Sequence, residues 1–176
     1  MGARKCAKRG LVVSQRDFRV GQGFDVHRFE ASPSGKPLIL GGVTFSDQPA
    51  LVGHSDADAV AHAVADALLG AAGLGDIGEH FPDTDPKWSE ANSIEILAKV
   101  ADLIAALGFR VENVDCSVVC EMPKISPHRA AMQANLSRAA SAPVTVKGRR
   151  AEELGAIGRA EGIAVFAVAL ISRDHV

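Results

Sequence analysis

Gly162-Ile163-Ala164-Val165-Phe166-Ala167-Val168-Ala169-Leu170-Ile171 runs without a charged or polar side chain. A strand with one wet face alternates apolar and polar residues, so this run reads as a strand buried on both faces. Such a strand needs neighbours. Residues 143–147 and 111–120 read as strands, and residues 18–24 as the first strand of the chain. Residues 37–45 read as a further strand broken by Gly41-Gly42. Three helical segments lie between them. Residues 56–72 are rich in alanine and leucine, with Ser55 as the N-cap and Gly73 and Gly75 as stops. A second helix starts at Asn92 or Ser93. Its stripe is Ile94, Leu97, Val100, Ala101, Ile104 and Leu107, and Gly108 ends it. A third opens at Ser126-Pro127, with the proline in its first turn, and reaches about Ala140. The expected class is α+β: a mixed β-sheet with helices packed on one face. The other face then stays apolar and needs a partner, which predicts oligomerisation.

At 176 residues the chain suits one domain, on a scale of roughly 100–200 residues each. No apolar run approaches the ~18 residues of a membrane span. Charge is uneven. Of the 19 basic residues six lie within 1–20 (Arg4, Lys5, Lys8, Arg9, Arg16, Arg19), with one acid, Asp17. The remainder holds 13 basic and 20 acidic side chains, near −7. Residues 1–17 read as a basic, solvated, disordered extension and 18–176 as the folded domain. An acidic domain is a poor partner for nucleic acid. Leu11-Val12-Val13 is too short for a secretory core. Three cysteines without dense spacing argue for a reducing compartment, and the expected location is cytoplasmic. Cys116 and Cys120 would share a strand face with Val114 and Val118, as buried apolar groups.

Chemistry concentrates near Gly23-Phe24-Asp25-Val26-His27 and Gly53-His54-Ser55-Asp56-Ala57-Asp58. In a strand Asp25 and His27 point the same way, so His62 need come from only one other element. Two imidazoles and one carboxylate leave a tetrahedral position open, as in catalytic zinc sites. Asp58, His62 and Asp66 follow at spacings of four. Alone they suit a surface ladder of charges; beside Asp25-x-His27 they suit a metal, with a carboxylate orienting the His62 ring. His54-Ser55, directly before a helix, suits anion binding as well as plain capping. Residues 75–86 form a long loop whose Asp and Thr side chains fit either polyol hydroxyls or solvent. Arg149 and Arg150 fit a phosphate clamp or a basic turn.

Seven segments, in order, carry a resemblance. They are Gly-Phe-Asp-Val-His (23–27), Gly-His-Ser-Asp-Ala-Asp (53–58), Asp-Ala-Leu-Leu-Gly-Ala (66–71), Gly-Asp-Ile-Gly (75–78), Phe-Pro-Asp-Thr-Asp-Pro (81–86), Pro-Lys (123–124) and Gly-Arg-x-Glu-Gly-Ile (158–163). From about Arg19 to Ile171 the chain resembles the 2-C-methyl-D-erythritol 2,4-cyclodiphosphate synthases of the non-mevalonate isoprenoid pathway. The resemblance implies a homotrimer with active sites between subunits. It implies zinc, or another divalent transition metal, on Asp25, His27 and His62. The substrate would be 4-diphosphocytidyl-2-C-methyl-D-erythritol 2-phosphate, whose 2-phosphate attacks the β-phosphorus and expels CMP.

By position, the resemblance puts His54 and Ser55 on the diphosphate, with His54 catalytic. Asp76 and Gly78 would hold ribose or substrate hydroxyls, with Ile77 between them also binding substrate. Phe81, Pro82, Asp83, Thr84 and Asp85 fall on the methylerythritol part. The neighbouring subunit would present Cys120, Glu121, Met122, Pro123, Lys124, Ile125 and Ser126 to the cytosine. Glu152 matches the acid that holds magnesium or manganese between the α- and β-phosphates. Arg159 matches the arginine capping an axial cavity that takes isoprenoid diphosphates. The family's usual Ala-Thr-Thr-Thr-Glu is here Gly148-Arg149-Arg150-Ala151-Glu152, and a usual phenylalanine is Ala156. Arg149 and Arg150 would bind phosphate, Arg150 in place of a threonine that stabilises the transition state. A cyclising lyase leads; a trimeric metal- and nucleotide-binding homologue with weak turnover and a generic zinc hydrolase are the alternatives.

Overall fold

The computed structural model describes residues 16–32, 35–89 and 91–174. A four-stranded mixed sheet runs β1 (Arg16–Arg28), β6 (Gly162–Asp174), β4 (Arg110–Val119), β5 (Val144–Arg149) in spatial order. β6 is antiparallel to both β1 and β4, and β4 is parallel to β5. The helices α1 (Ala59–Ala72), α3 (Ser93–Ala106) and α4 (Arg129–Ala140) lie on one face. α1 packs on β1 and β6, α4 on β5, and α3 bridges the two helices. The expected α+β arrangement is therefore present. Among the described residues no helix is long and apolar enough to cross a membrane.

The core is where the alternation directs it. Val114, Cys116 and Val118 of β4 point at the helices and are buried, as is Cys120 just beyond the strand. β6 shows the open apolar face expected of a sheet with helices on one side. Ile163, Val165, Ala167, Ala169 and Ile171 are buried, but Phe166 and Val168 on the opposite face are about half exposed. Phe18, Val20, Phe24 and Val26 of β1 extend that outer face, and the six side chains are 47–68% exposed. Within a protomer, then, one face of the apolar strand is covered.

Other boundaries shift for local reasons. β1 begins at Arg16, which pairs with Asp174, and Asp17 accepts from Arg173; residues 1–15 of the expected extension lie outside the described residues. Gly41 and Gly42, both at positive φ, do not break one strand. They turn a hairpin, β2 (Leu38–Leu40) against β3 (Val43–Phe45). α1 begins at Ala59, because Asp58 and not Ser55 is its cap: the carboxylate accepts the Val60 and Ala61 N–H groups. α4 starts at Arg129, so Pro127 precedes the helix. The long loop contains α2 (Ile77–His80) and a 3₁₀ turn (Pro86–Trp88), and α5 (Gly155–Gly158) precedes β6.

α1 can approach β1 because the strand has no side chain at two positions facing it. A Cβ on Gly21 would lie 2.0 Å from Ala67 O, and one on Gly23 2.0 Å from Ala63 O. Glycines opposite alanines bring helix and strand backbones nearly into contact, which sets the position of the adjacent His62.

Candidate functional site

β1 presents Asp25 and His27 to the helix layer, and α1 presents His62 from its first turn. Asp25 Oδ2 lies 3.0 Å from His27 Nε2 and 3.1 Å from His62 Nδ1. The three ligand atoms all lie within 4.8 Å of one another; among the described residues no other group of His, Cys, Asp or Glu could share an ion in this way.

The remaining polar atoms are committed to protein partners, and this decides whether the trio suits a metal. Asp25 Oδ1 accepts the Val26 N–H at 2.9 Å. His27 Nδ1 donates to Val52 O at 2.6 Å, leaving Nε2 with its lone pair toward Asp25. His62 Nε2 faces Ser93 Oγ at 2.8 Å and Ser55 Oγ at 3.2 Å. The Ser93 hydroxyl donates to Asp56 Oδ1, and the Ser93 N–H reaches Asp56 Oδ2 at 3.0 Å. With its proton directed at Asp56, Ser93 Oγ accepts from His62 Nε2–H. Nδ1 of His62 is then the free ligand. Both rings carry their protons on the outer nitrogen, which is the arrangement a divalent transition metal requires.

Electrostatics agree. In the absence of a cation, burial pushes the Asp25 carboxyl up, but protons that His27 and His62 place against it outweigh burial and hold the group far below the usual carboxylate range. Burial pushes His27 down, but the Asp25 carboxylate raises it above the ordinary imidazole value. Without metal, the proton on His27 takes the cation's place as partner of Asp25.

The carboxylates expected behind His62 are elsewhere. Asp58 is fully buried and collects four backbone amides: Gly41 at 2.8 Å, Gly42 at 2.7 Å, and Val60 and Ala61 at 3.1 Å. Asp66 accepts the Ile77 N–H at 3.1 Å. The carboxylate that supports the ring is Asp56, through Ser93. Asp58 also takes the N-terminal amides of α1, so an anion at His54 and Ser55 would not sit on that helix end.

A cleft of 300 Å³ opens beside the trio, lined by His27, Gly53, His54, Ser55, His62, Ile77, Phe81, Asp83, Trp88 and Ile96. Asp76 caps α2 by accepting the Glu79 N–H, and Asp85 caps the 3₁₀ turn by accepting the Lys87 N–H. These caps hold the loop so that Phe81 meets Trp88 edge-on at 4.9 Å. Gly78, Pro82 and Thr84 belong to the same loop without lining the cleft. Sequence reasoning missed Trp88, Ile96, Ser93 and Asp56. The single tryptophan, placed just after the 81–86 motif, was the available signal for the first, and the 53–58 motif was the signal for Asp56; Ser93 and Ile96 had none.

A second cleft, of 360 Å³, gathers Cys120, Glu121, Met122, Pro123, Lys124, Ile125 and Ser126 with Arg129, Gly148, Arg149 and Arg150. It shares no lining residue with the first. Burial pushes the Cys120 thiol up to about 11, so it is an inert wall there. Arg150 pairs with Glu121, Nε to Oε2 at 2.7 Å. Glu152 is exposed at φ +52° and lines neither cleft. Arg159, beyond α5, pairs with Glu161 at 2.6 Å.

Three comparisons place this geometry. The YgbB family model matches residues 18–172. The 2-C-methyl-D-erythritol 2,4-cyclodiphosphate synthase of Geobacillus kaustophilus is 50% identical over 160 residues, 89% of this chain and 99% of its own. The bifunctional IspDF of Campylobacter jejuni superposes with a TM-score of 0.84 at 41% identity, over 90% of this chain and 43% of that longer one. IspF of Plasmodium falciparum in its CDP complex superposes with a TM-score of 0.77 at 34% identity, over 90% of this chain and 97% of that one. With most of its length matched at these identities, the chain belongs to the YgbB family, that of the 2-C-methyl-D-erythritol 2,4-cyclodiphosphate synthases.

Proposed function

We propose that this chain converts 4-diphosphocytidyl-2-C-methyl-D-erythritol 2-phosphate to 2-C-methyl-D-erythritol 2,4-cyclodiphosphate and CMP, in isoprenoid biosynthesis. The observation that carries the reading is the convergence of Asp25, His27 and His62 beside a cleft, in a chain of this family. An oxygen of the substrate's 2-phosphate bonds to the β-phosphorus. The bond from that phosphorus to the bridging oxygen breaks, and the oxygen leaves with CMP. The nucleophile belongs to the substrate, so the protein's task is positioning and charge neutralisation. Zinc held by Asp25, His27 and His62, with magnesium or manganese on Glu152, would supply Lewis-acid charge at the phosphoryl oxygens.

The chain's own groups do the rest. His54 and Ser55, on the cleft wall, hydrogen-bond the diphosphate. Ile77 and Phe81 enclose the methylerythritol carbons, Trp88 closes the far side, and Asp83 accepts from a hydroxyl. Folding the flexible polyol into line with the β-phosphorus contributes up to ~7–11 kcal/mol. The cytosine occupies the 120–126 cleft of a neighbouring subunit. Two features support a homotrimer with interfacial sites: the clefts are separate within one protomer, and the outer sheet face is apolar. Arg159 then faces the axial cavity, where an isoprenoid diphosphate would bind, and the enzyme works in the cytoplasm.

The second reading, a metal- and nucleotide-binding homologue with weak turnover, is favoured by Arg150. Its charge is paired with Glu121, where the family has a threonine. CMP release from the authentic substrate, with zinc and magnesium present and phosphorus NMR of the product, decides between them. Fast CMP release with a cyclic diphosphate is expected. No CMP from assembled, metal-loaded protein sinks the synthase reading, and activity gained only on Arg149→Thr and Arg150→Thr supports the second.

A further inference from the structure

Glu121 joins two segments that lie 30 residues apart in sequence. Its carboxylate has four donors. Arg150 reaches Oε2 through Nε at 2.7 Å and Nη2 at 2.5 Å. The backbone N–H groups of Ala151 and Glu153 reach Oε1 at 3.0 and 3.3 Å. Those two amides flank Glu152. Glu152 and Glu153 are both left-handed, at φ +52° and +62°, a conformation their side chains disfavour. Backbone N–H groups in such a turn converge on an anion, and here the anion is Glu121. Removing it strands two amides and the reason for the turn. Arg150, held on the other oxygen, is already neutralised by a carboxylate.

We propose that Glu121 is a positioning residue that sets the placement of Glu152, and that Arg150 acts through Glu121 and not on the substrate's phosphates. This rests on the reading of Glu152 as ligand of the phosphate-bridging cation. The loop that forms the nucleotide cleft and the turn that carries the cation ligand then move as one unit, tied by a single carboxylate.

The test is a magnesium titration of turnover in the intact, zinc-loaded protein, paired with direct Mn2+ binding measured by electron paramagnetic resonance with cytidine diphosphate present and no turnover. Both are run for the parent, Glu121→Gln, Arg150→Gln, the double variant, Arg150→Lys and Glu152→Gln; each shift below must appear in both readouts. The expected result is an approximately tenfold rise in half-saturating magnesium for Glu121→Gln, the size usual for loss of a group that orients a metal ligand. Turnover at saturating magnesium changes much less, a split that mere loss of fold stability does not produce. Arg150→Gln gives the same shift, the double variant is no worse than Glu121→Gln, and Arg150→Lys restores most of it. A loss of turnover in Arg150→Gln that persists at saturating magnesium and adds to that of Glu121→Gln means the guanidinium touches phosphate, and overturns the proposal. An unchanged titration for Glu121→Gln beside a shifted one for Glu152→Gln overturns the positioning role alone. An unchanged titration for Glu152→Gln overturns both the cation reading and this one. If Glu121→Gln does not fold, the Arg150 pair carries the same comparison.

Discussion

His62 offers Nδ1 to a metal only while Nε2 keeps its proton, and Ser93 controls that proton. The serine is buried, its hydrogen is spent on Asp56, and its oxygen accepts from the ring. Ser93→Ala removes the acceptor and leaves Ser55 Oγ, at 3.2 Å, as a poorer one. Zinc affinity should fall about 10- to 100-fold, nearer the lower figure because of Ser55. Competition against a chelator measures it, and an affinity within twofold of the parent would show that the tautomer is set elsewhere. The three candidate ligands themselves were legible in the sequence, since strand alternation aligns Asp25 with His27. Ser93 was not: it stands 31 residues from His62, and no local pattern links them. The cap of α1 was misread for a related reason. Ser55 and Asp58 are both good caps on local grounds. Asp58 wins because its carboxylate also collects the Gly41 and Gly42 amides from a hairpin distant in sequence.

At the level of elements, the site depends on how closely α1 lies on β1. Gly23 is two residues before Asp25, and the Ala63 carbonyl that its Cβ would strike belongs to the residue after His62. Gly23→Ala must therefore push the helix outward at the point where it delivers its ligand. Overpacking of this kind should lower stability by about 1–3 kcal/mol or more. It should also weaken zinc binding beyond what the loss of folded protein explains. Denaturant titration with and without zinc separates the two effects; equal stability losses in both would show that the triad tolerates the shift. Long elements were readable because periodicity accumulates along them, as in α3 from its cap at Asn92 to its stop before Gly108. α2, α5 and the 3₁₀ turn are a single turn each, too short for any period to show. The start of α4 at Arg129 and the hairpin at Gly41-Gly42 depend on chain direction, which Pro and Gly permit without dictating.

For the whole molecule, the informative element is β6. Its apolar run promised two covered faces, yet the helices cover one, and Phe166 and Val168 stay half exposed beside Phe18, Val20, Phe24 and Val26. Phe24 and Phe166 pair at 5.0 Å, forming the centre of a patch that water covers poorly. The sequence thus encodes a burial that the protomer cannot complete, and in the proposed trimer the same contact brings the 120–126 cleft of one subunit to the metal trio of the next. Phe166→Glu places a charge in the patch centre while remaining solvated in an isolated protomer. Sedimentation should move from three times the 18.4 kDa protomer mass to the protomer mass itself. CMP release should be lost with it. Zinc binding should survive, because Asp25, His27 and His62 come from one chain. That combination distinguishes a broken assembly from a broken fold. A protomer-sized variant with full turnover would mean that both clefts serve the reaction within one subunit, and the apolar face would then have to be explained without catalysis.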